Sequence, residues 1–451
     1  MKRTDNQSKF DALRKEFSTF TFESQMVKRE GGTLSLAFDF NLDDRYHFRP
    51  TLEIPARPFF DWDSIPEEQL QALAFQIGMT ELVSYWKIAC PKRVLVKPFA
   101  LTEKQKAFWK KLYYNGLGEF LYLNGISISE SELLIIESER NQEFDKVALP
   151  LLEKTLVPIG GGKDSVVTLE CLRNAMPVTP LIVNPRGATL NCVKTAGYKE
   201  DEFIVINRTL DPTMLKLNAE GYLNGHTPFS ALLAFISVLV AFGSRSKYIA
   251  LSNENSANES TVPGTKINHQ YSKSIEFESD FRNYVAENLN PEVQYFSFLR
   301  PLSELQIAKL FSQCEAYHPV FRSCNAGSKT DSWCGKCPKC LFTWIILSPF
   351  LSREKLVAIF GKDLMADESL RPILEELNGT AAVKPFECVG TVEEVNACLK
   401  AAGTSTSSVT ASSKVPEPVE GPTVDEILSR FNTNHFLPEK FEQILKSRLH
   451  V

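Results

Sequence analysis

The stretch Val157-Pro-Ile-Gly-Gly-Gly-Lys-Asp-Ser-Val-Val167 decides how the middle of the chain is read. An apolar run enters three consecutive glycines and leaves in a helical pattern, which is the order strand, tight turn, helix. At a helix start the unpaired backbone N–H groups and the positive end of the helix dipole face the same way, and glycines let an anion come close to them. Ser165 adds a hydroxyl and Lys163 a point charge, so Gly160, Gly161, Gly162, Lys163 and Ser165 are candidate binders of a phosphate chain. Asp164 has an ordinary role as a helix N-cap. Two common nucleotide loops are excluded by spacing. A Walker A loop needs Gly-x-x-x-x-Gly-Lys followed by Ser or Thr, whereas Lys163 is followed by Asp164 and the residue five before Gly162 is Val157. The dinucleotide pattern G-x-G-x-x-G fails because Ser165 stands where its third glycine belongs. A bare glycine turn joining strand to helix is the competing reading.

Outward from this loop, short apolar runs alternate with helical stretches: Thr155–Ile159, Val166–Arg173, Pro180–Asn184, Phe203–Asn207, Phe229–Phe242 and Tyr248–Ser252. That alternation predicts an α/β fold, with a parallel sheet covered by helices on both faces across 151–300. Asn253, Glu254 and Asn255 follow the last of these strands, at the carboxyl edge where open α/β sheets bind ligands, and are candidate contacts. Turn capping by an asparagine-rich loop is the alternative. Residues 1–150 read as an α+β unit: Thr33–Phe40 alternates like a strand, and Glu67–Trp86 has helical spacing, with Ser64 expected as its N-cap. Residues 301–400 read as a mostly helical region broken by a cysteine-rich turn. The Ser/Thr/Pro-rich segment 401–422 has no apolar period and is expected to be a linker, with docking helices in 423–451.

The 451 residues carry 50 Lys and Arg against 55 Asp and Glu, a net charge of −5. A balance on the acidic side argues against a dedicated nucleic-acid binder. The opening MKRTDNQSKF has no apolar stretch behind its basic residues, and the longest apolar runs fall short of the roughly 20 residues of a membrane helix, so a cytoplasmic protein with no membrane partner is expected.

Six of the ten cysteines stand singly and read as small buried hydrophobes. The other four are grouped: Cys324 precedes a Cys334-Gly-Lys-Cys337-Pro-Lys-Cys340 run. Cys-x-x-Cys turns feeding a helix bring thiolates within reach of one tetrahedral ion, so these four are candidate ligands of a structural Zn²⁺. Redox pairing of Cys334 with Cys337 is the main alternative, and the spacing does not separate zinc from iron.

Gly160–Ser165 resembles the Ser-Gly-Gly-x-Asp-Ser pyrophosphate loop of the PP-loop ATP pyrophosphatases, with Gly160 in place of the first Ser. The resemblance implies a HUP-like nucleotide-binding domain that holds the phosphates of ATP, with Mg²⁺ between them and Asp164, and Lys163 and Asp164 in catalytic roles. A phosphate loop followed by Cys-Gly-Lys-Cys-x-x-Cys also looks like the branch containing 7-cyano-7-deazaguanine synthase, but that branch leaves the first 150 residues unexplained. Ser84-Tyr-Trp-Lys-Ile-Ala-Cys-Pro91, Tyr114-Asn-Gly-Leu-Gly-Glu-Phe120, the loop at 158–165, the cysteine cluster and Lys384-Pro-Phe-Glu-Cys-Val-Gly-Thr-Val-Glu-Glu394 together resemble the UDP-N-acetyl-α-D-muramoyl-L-alanyl-L-glutamate epimerase (MurL) family. That resemblance implies inversion of the terminal L-Glu of UDP-MurNAc-L-Ala-L-Glu in peptidoglycan precursor synthesis, with ATP going to AMP and pyrophosphate. It also implies that the N-terminal domain recognises the UDP-sugar dipeptide. Lys87, Glu119, His226, His269 and Cys388 are the candidates for moving protons, and Arg49, Arg57 and Arg93 for contacting the substrate's phosphates. A nucleobase- or tRNA-modifying enzyme of the same fold, or a non-catalytic nucleotide- or zinc-binding regulator, is the rival expectation. The oligomeric state is not legible.

Overall fold

A computed structural model describes residues 3–405 and 421–449. Its strands are β1 (Thr19–Glu30), β2 (Thr33–Leu42), β3 (Tyr46–Phe48), β4 (Thr51–Ile54), β5 (Arg93–Val96), β6 (Ile135–Ser138), β7 (Leu152–Pro158), β8 (Val178–Val183), β9 (Ile204–Thr209), β10 (Ser246–Leu251) and β11 (Gln294–Ser297). Together with the helices between them they make a mixed α/β fold. The chain divides into two compact units, one of Met1–Leu156, Ile204–Ile249 and Ile267–Tyr295, the other of Val157–Phe203, Ala250–Lys266 and Phe296–Val451. These units cut across the sequence boundaries at 150 and 300.

In the first unit β1 and β2 form an antiparallel hairpin closed between Glu30 and Thr33. Gly31 (φ +57°) and Gly32 (φ +78°) make its turn. Two positive φ values in a two-residue loop match the right-handed twist of the strands, and glycine meets them without a steric cost. β3 and β4 add antiparallel to β2, while β5 lies parallel to β1 and β6 parallel to β5. β9 pairs antiparallel with β4 through Thr51–Thr209 and Leu52–Arg208, whereas β10 lies parallel to β7. The parallel pattern expected across 151–300 holds for β7 with β10, while the antiparallel partner of β9 is β4, a strand from outside that stretch.

The position of β9 is pinned by charge. Arg208 reaches the buried Glu81 on the helix Glu67–Trp86 and forms a bidentate pair, with Nη2 to Oε2 at 2.7 Å. A guanidinium fork matches a carboxylate with two parallel bonds, and beside Glu81 the Arg208 pKa is raised despite its burial. The helix itself is buried almost all round, polar Gln76, Thr80 and Glu81 included. Ser64 is not its cap: Pro66 precedes the first turn, and the Ser64 hydroxyl instead donates to the Asp61 carbonyl at 2.8 Å. Proline's fixed φ suits a helix entry whose first N–H groups have no intrahelical acceptor.

The second unit holds β8, the helix Lys163–Leu172 and a helical region with Glu304–Ser312, Pro338–Leu347, Arg353–Phe360, Arg371–Leu377 and Val392–Ser405. The last of these carries helix into the start of the expected linker, most of which lies outside the described residues. The short helices Val424–Leu428 and Glu439–Leu449 dock on this unit. Gln306 Nε2 donates to the carbonyls of Leu428 (3.1 Å) and Arg430 (2.6 Å), and Phe441 packs on Phe296 at 4.6 Å between ring centroids. Among the described residues no helix is long and apolar enough to cross a membrane.

Packing leaves little slack where the buried helix meets the hairpin. A Cβ at Gly78 would stand 2.4 Å from Phe22 and 2.9 Å from Phe38, both rings being fully buried. Gly78→Ala is expected to destabilise the protein by about 1–3 kcal/mol through overpacking, read as a lower urea midpoint at unchanged m-value.

Candidate functional site

The glycine loop follows β7 and opens the helix Lys163–Leu172, with Gly162 at the N-cap position. Gly161 has φ +79°, and a Cβ on it would lie 2.9 Å from the backbone of Ala188 and Thr189. Its carbonyl accepts the Arg322 N–H at 2.7 Å, which ties the loop to the cysteine-bearing segment. A Cβ at Gly162 would meet the Ser323 hydroxyl at 2.9 Å. Gly160, by contrast, has nothing within 4 Å of a built Cβ, so the position where the pyrophosphate-loop pattern carries Ser has room for a side chain. The Ser165 hydroxyl closes a local turn onto the Gly162 carbonyl at 3.0 Å.

Lys163 does not stand free. Its side chain is 3% exposed, and its ammonium is paired with both Asp164 and Glu304. Burial works against that charge, but the two carboxylates outweigh it and hold the Lys163 pKa above its ordinary value. Burial pushes the Glu304 carboxyl well above the usual range; Lys163 opposes this, while Asp164, Glu254 and Glu394 reinforce it. Glu304 is the residue that sequence reading missed. Ser303 caps its helix by accepting from the Gln306 N–H, so Glu304 is held in a capped first turn. A Cβ at Gly390 would come within 3.0 Å of the Glu304 side chain, so the segment 384–391 closes on it through a glycine. Glu394 accepts the Leu305 N–H at 3.3 Å and the Thr391 N–H and hydroxyl at 3.0 and 2.8 Å.

Asn253 is buried, its amide donating to the Ser297 hydroxyl at 3.0 Å. Asn255 lies beyond it in the loop after β10 and accepts from the Asn432 amide at 2.7 Å. The Glu254 carbonyl accepts from buried Arg300 at 2.6 Å.

Cys324, Cys334, Cys337 and Cys340 converge in the second unit. Their sulfurs stand 3.7 Å (324–337), 3.6 Å (334–340) and 3.5 Å (337–340) apart. Tetrahedral Zn–S bonds of about 2.3 Å put sulfurs roughly 3.8 Å apart, so the cluster fits that ion with little movement. Gly327 makes the approach possible: a Cβ there would overlap the Ser332 carbonyl at 1.9 Å, and its N–H donates to the Cys324 sulfur at 3.2 Å. Accepting hydrogen bonds from Cys337 and Cys340 holds the Cys324 thiol well below the usual range, and donating them pushes Cys337 above it.

In the first unit, Glu119, His226 and His269 also come together, with one donor atom of each within 4.8 Å of the others. Lys87 is buried and donates to Asn224 Oδ1 at 3.1 Å. Arg49 and Arg93 instead form surface ion pairs, with Asp39 and with Glu137. Cys388 is half-buried in the second unit.

Residues 11–298 match the MurL N-terminal domain, and residues 320–416 the MurL C-terminal domain. The chain belongs to the MurL family. A protein of Micromonospora sp. named UDP-N-acetyl-alpha-D-muramoyl-L-alanyl-L-glutamate epimerase is 37% identical over 395 residues, 84% of this chain and 86% of its own length. Proteins of the same name from Xanthomonas oryzae pv. oryzae (33%; 83% of each chain) and Salinispora tropica (35%; 84% of each chain) also match. No solved structure matches. Both MurL domains are thus represented, and the pairing of glycine loop with cysteine cluster falls within the matched residues, apart from a gap at 299–319 that contains Glu304.

Burial lowers the Lys87 pKa from 10.5 to about 8. The folded amine therefore loses its proton near pH 8, whereas the unfolded one keeps it to about 10.5. Between these values the unfolded state binds more protons, so stability must rise with pH there. Lys87→Met is expected to remove a rise of about 3 kcal/mol between pH 8 and 10.5, measured as the difference between urea unfolding curves of the two proteins.

Proposed function

We propose that this protein is a cytoplasmic enzyme that inverts the terminal L-Glu of UDP-MurNAc-L-Ala-L-Glu to D-Glu in peptidoglycan precursor synthesis, spending ATP to AMP and pyrophosphate. The observation that carries this reading is coverage: relatives named as epimerases of that substrate match over four fifths of this chain and of their own lengths.

The need for ATP follows from acidity. Removing the α-proton beside a free carboxylate places a second negative charge next to the first. In the proposed reaction a carboxylate oxygen attacks the α-phosphorus of ATP and pyrophosphate leaves. The resulting acyl adenylate carries no carboxylate charge, so its carbonyl can accept the electron pair released when a base takes the α-proton. An acid returns a proton on the other face, and water cleaves the adenylate to carboxylate and AMP.

The support for nucleotide binding is the loop at 160–165, which stands at a helix start as a PP-loop of a HUP-like domain would. Mg²⁺ would sit against Asp164 and neutralise phosphate charge. Lys163, paired with Asp164 and Glu304, is a positioning residue that fixes these carboxylates. Zn²⁺ on the four cysteines would hold the segment 324–340 and, through Arg322, the carbonyl of Gly161.

α,β-Methylene ATP, which cannot release pyrophosphate, is expected to abolish inversion. With ATP, exchange of the glutamate α-proton with D₂O is expected to accompany AMP formation. Inversion in the presence of the analogue alone would overturn the proposal.

A further inference from the structure

The convergence of Glu119, His226 and His269 is built from three separate chain segments. Glu119 lies in the first turn of the short helix Gly118–Leu123, His226 in the loop before the helix Phe229–Gly243, and His269 in the turn that follows Ile267. Glycines let these segments touch. A Cβ at Gly225 would stand 3.0 Å from the Phe120 ring and 3.4 Å from its Cα, and one at Gly116 would meet Pro228 at 2.7 Å. Gly118 faces Ile267, whose Cα would be 3.9 Å from an added Cβ. Asn124 further ties the loop down by donating to the Asn224 carbonyl at 3.1 Å.

The result is a carboxylate, 3% exposed, with two imidazoles turned to the same oxygen. His269 Nδ1 contacts Glu119 Oε2, and His226 Nδ1 lies 3.7 Å from it. The two rings are 4.5 Å apart, centroid to centroid. Around an ion with bonds of about 2.0–2.2 Å, ligand atoms stand roughly 3–3.5 Å apart. The His226 spacing is close to that range, and the direct His269–Glu119 hydrogen bond would have to open to admit the ion between them. Two imidazole nitrogens and one carboxylate oxygen form a donor set that suits Zn²⁺, Mn²⁺, Fe²⁺ or Co²⁺ rather than the all-oxygen shell of Mg²⁺.

We propose that Glu119, His226 and His269 bind a divalent transition-metal ion, separate from the four-cysteine cluster. Three protein donors leave at least one position open, so the ion can take an oxygen ligand such as water or a carboxylate. This does not depend on the proposed ATP chemistry, because binding is measured without substrate.

The test is reconstitution of the full-length protein with Co²⁺ after chelation. Wild-type protein is expected to take up one equivalent whose spectrum shows weak d–d bands without thiolate charge transfer, besides any ion on the cysteines. The His226→Gln/His269→Gln variant is expected to lose that equivalent alone, with its Cys-bound absorption and circular dichroism unchanged. Wild-type protein showing only thiolate-bound Co²⁺, or equal uptake by a folded variant, would overturn the proposal. Because the wild-type spectrum alone distinguishes nitrogen and oxygen donors from sulfur, the test survives a variant that fails to fold.

Discussion

An ammonium sealed among carboxylates organises the second unit. Lys163 begins the helix that follows the glycine loop, and its pairs with Asp164 and Glu304 hold that helix start against the capped helix Glu304–Ser312. Removing either side of such a pair leaves an unpaired buried charge, which costs far more than the intact pair contributes. The loop's other close contacts are ones that only glycine permits, at Gly161 against the backbone of Ala188 and at Gly162 against the Ser323 hydroxyl. The phosphate-loop geometry is therefore a product of charge pairing on one side and absent side chains on the other.

The first unit reaches its chemistry by a different route. Its long helix is buried on nearly every face, and its inward Glu81 is met by Arg208. Glycines at 116, 118 and 225 then bring a carboxylate and two imidazoles together at its helical side. Both clusters rest on close backbone approach, so added methyl groups disturb them before any charged residue is touched.

Some of this was legible in the sequence. The glycine loop and the Cys324–Cys340 cluster carry their geometry in local spacing, and each of the six apolar runs between Thr155 and Ser252 falls within a few residues of a strand or helix, whereas the helices Gly187–Thr195 and Pro212–Ala219 lie in none of them. The antiparallel neighbour that β9 has in β4 is not legible, because its run looks the same beside either kind of neighbour, and neither is the pair of its Arg208 with Glu81, 127 residues away. Glu304 stands 141 residues from Lys163, and a lone glutamate after a serine reads as an ordinary helix start. Glu119, His226 and His269 were named singly as proton carriers, but nothing in their spacing, 150 residues between Glu119 and His269, showed that they meet. Ser64 looked like a cap because serine often is one, while the fixed φ of Pro66 made the entry instead.

The central claim is that the substrate's own carboxylate becomes an acyl adenylate before it inverts. UDP-MurNAc-L-Ala-L-Glu labelled with ¹⁸O in the terminal glutamate's α-carboxylate tests this in a single incubation with Mg-ATP. The account predicts D-Glu in the product and one ¹⁸O transferred to each AMP, since water attacks the carbonyl carbon and the bridging oxygen leaves with phosphorus. D-Glu formed with unlabelled AMP, or with no AMP at all, would contradict it.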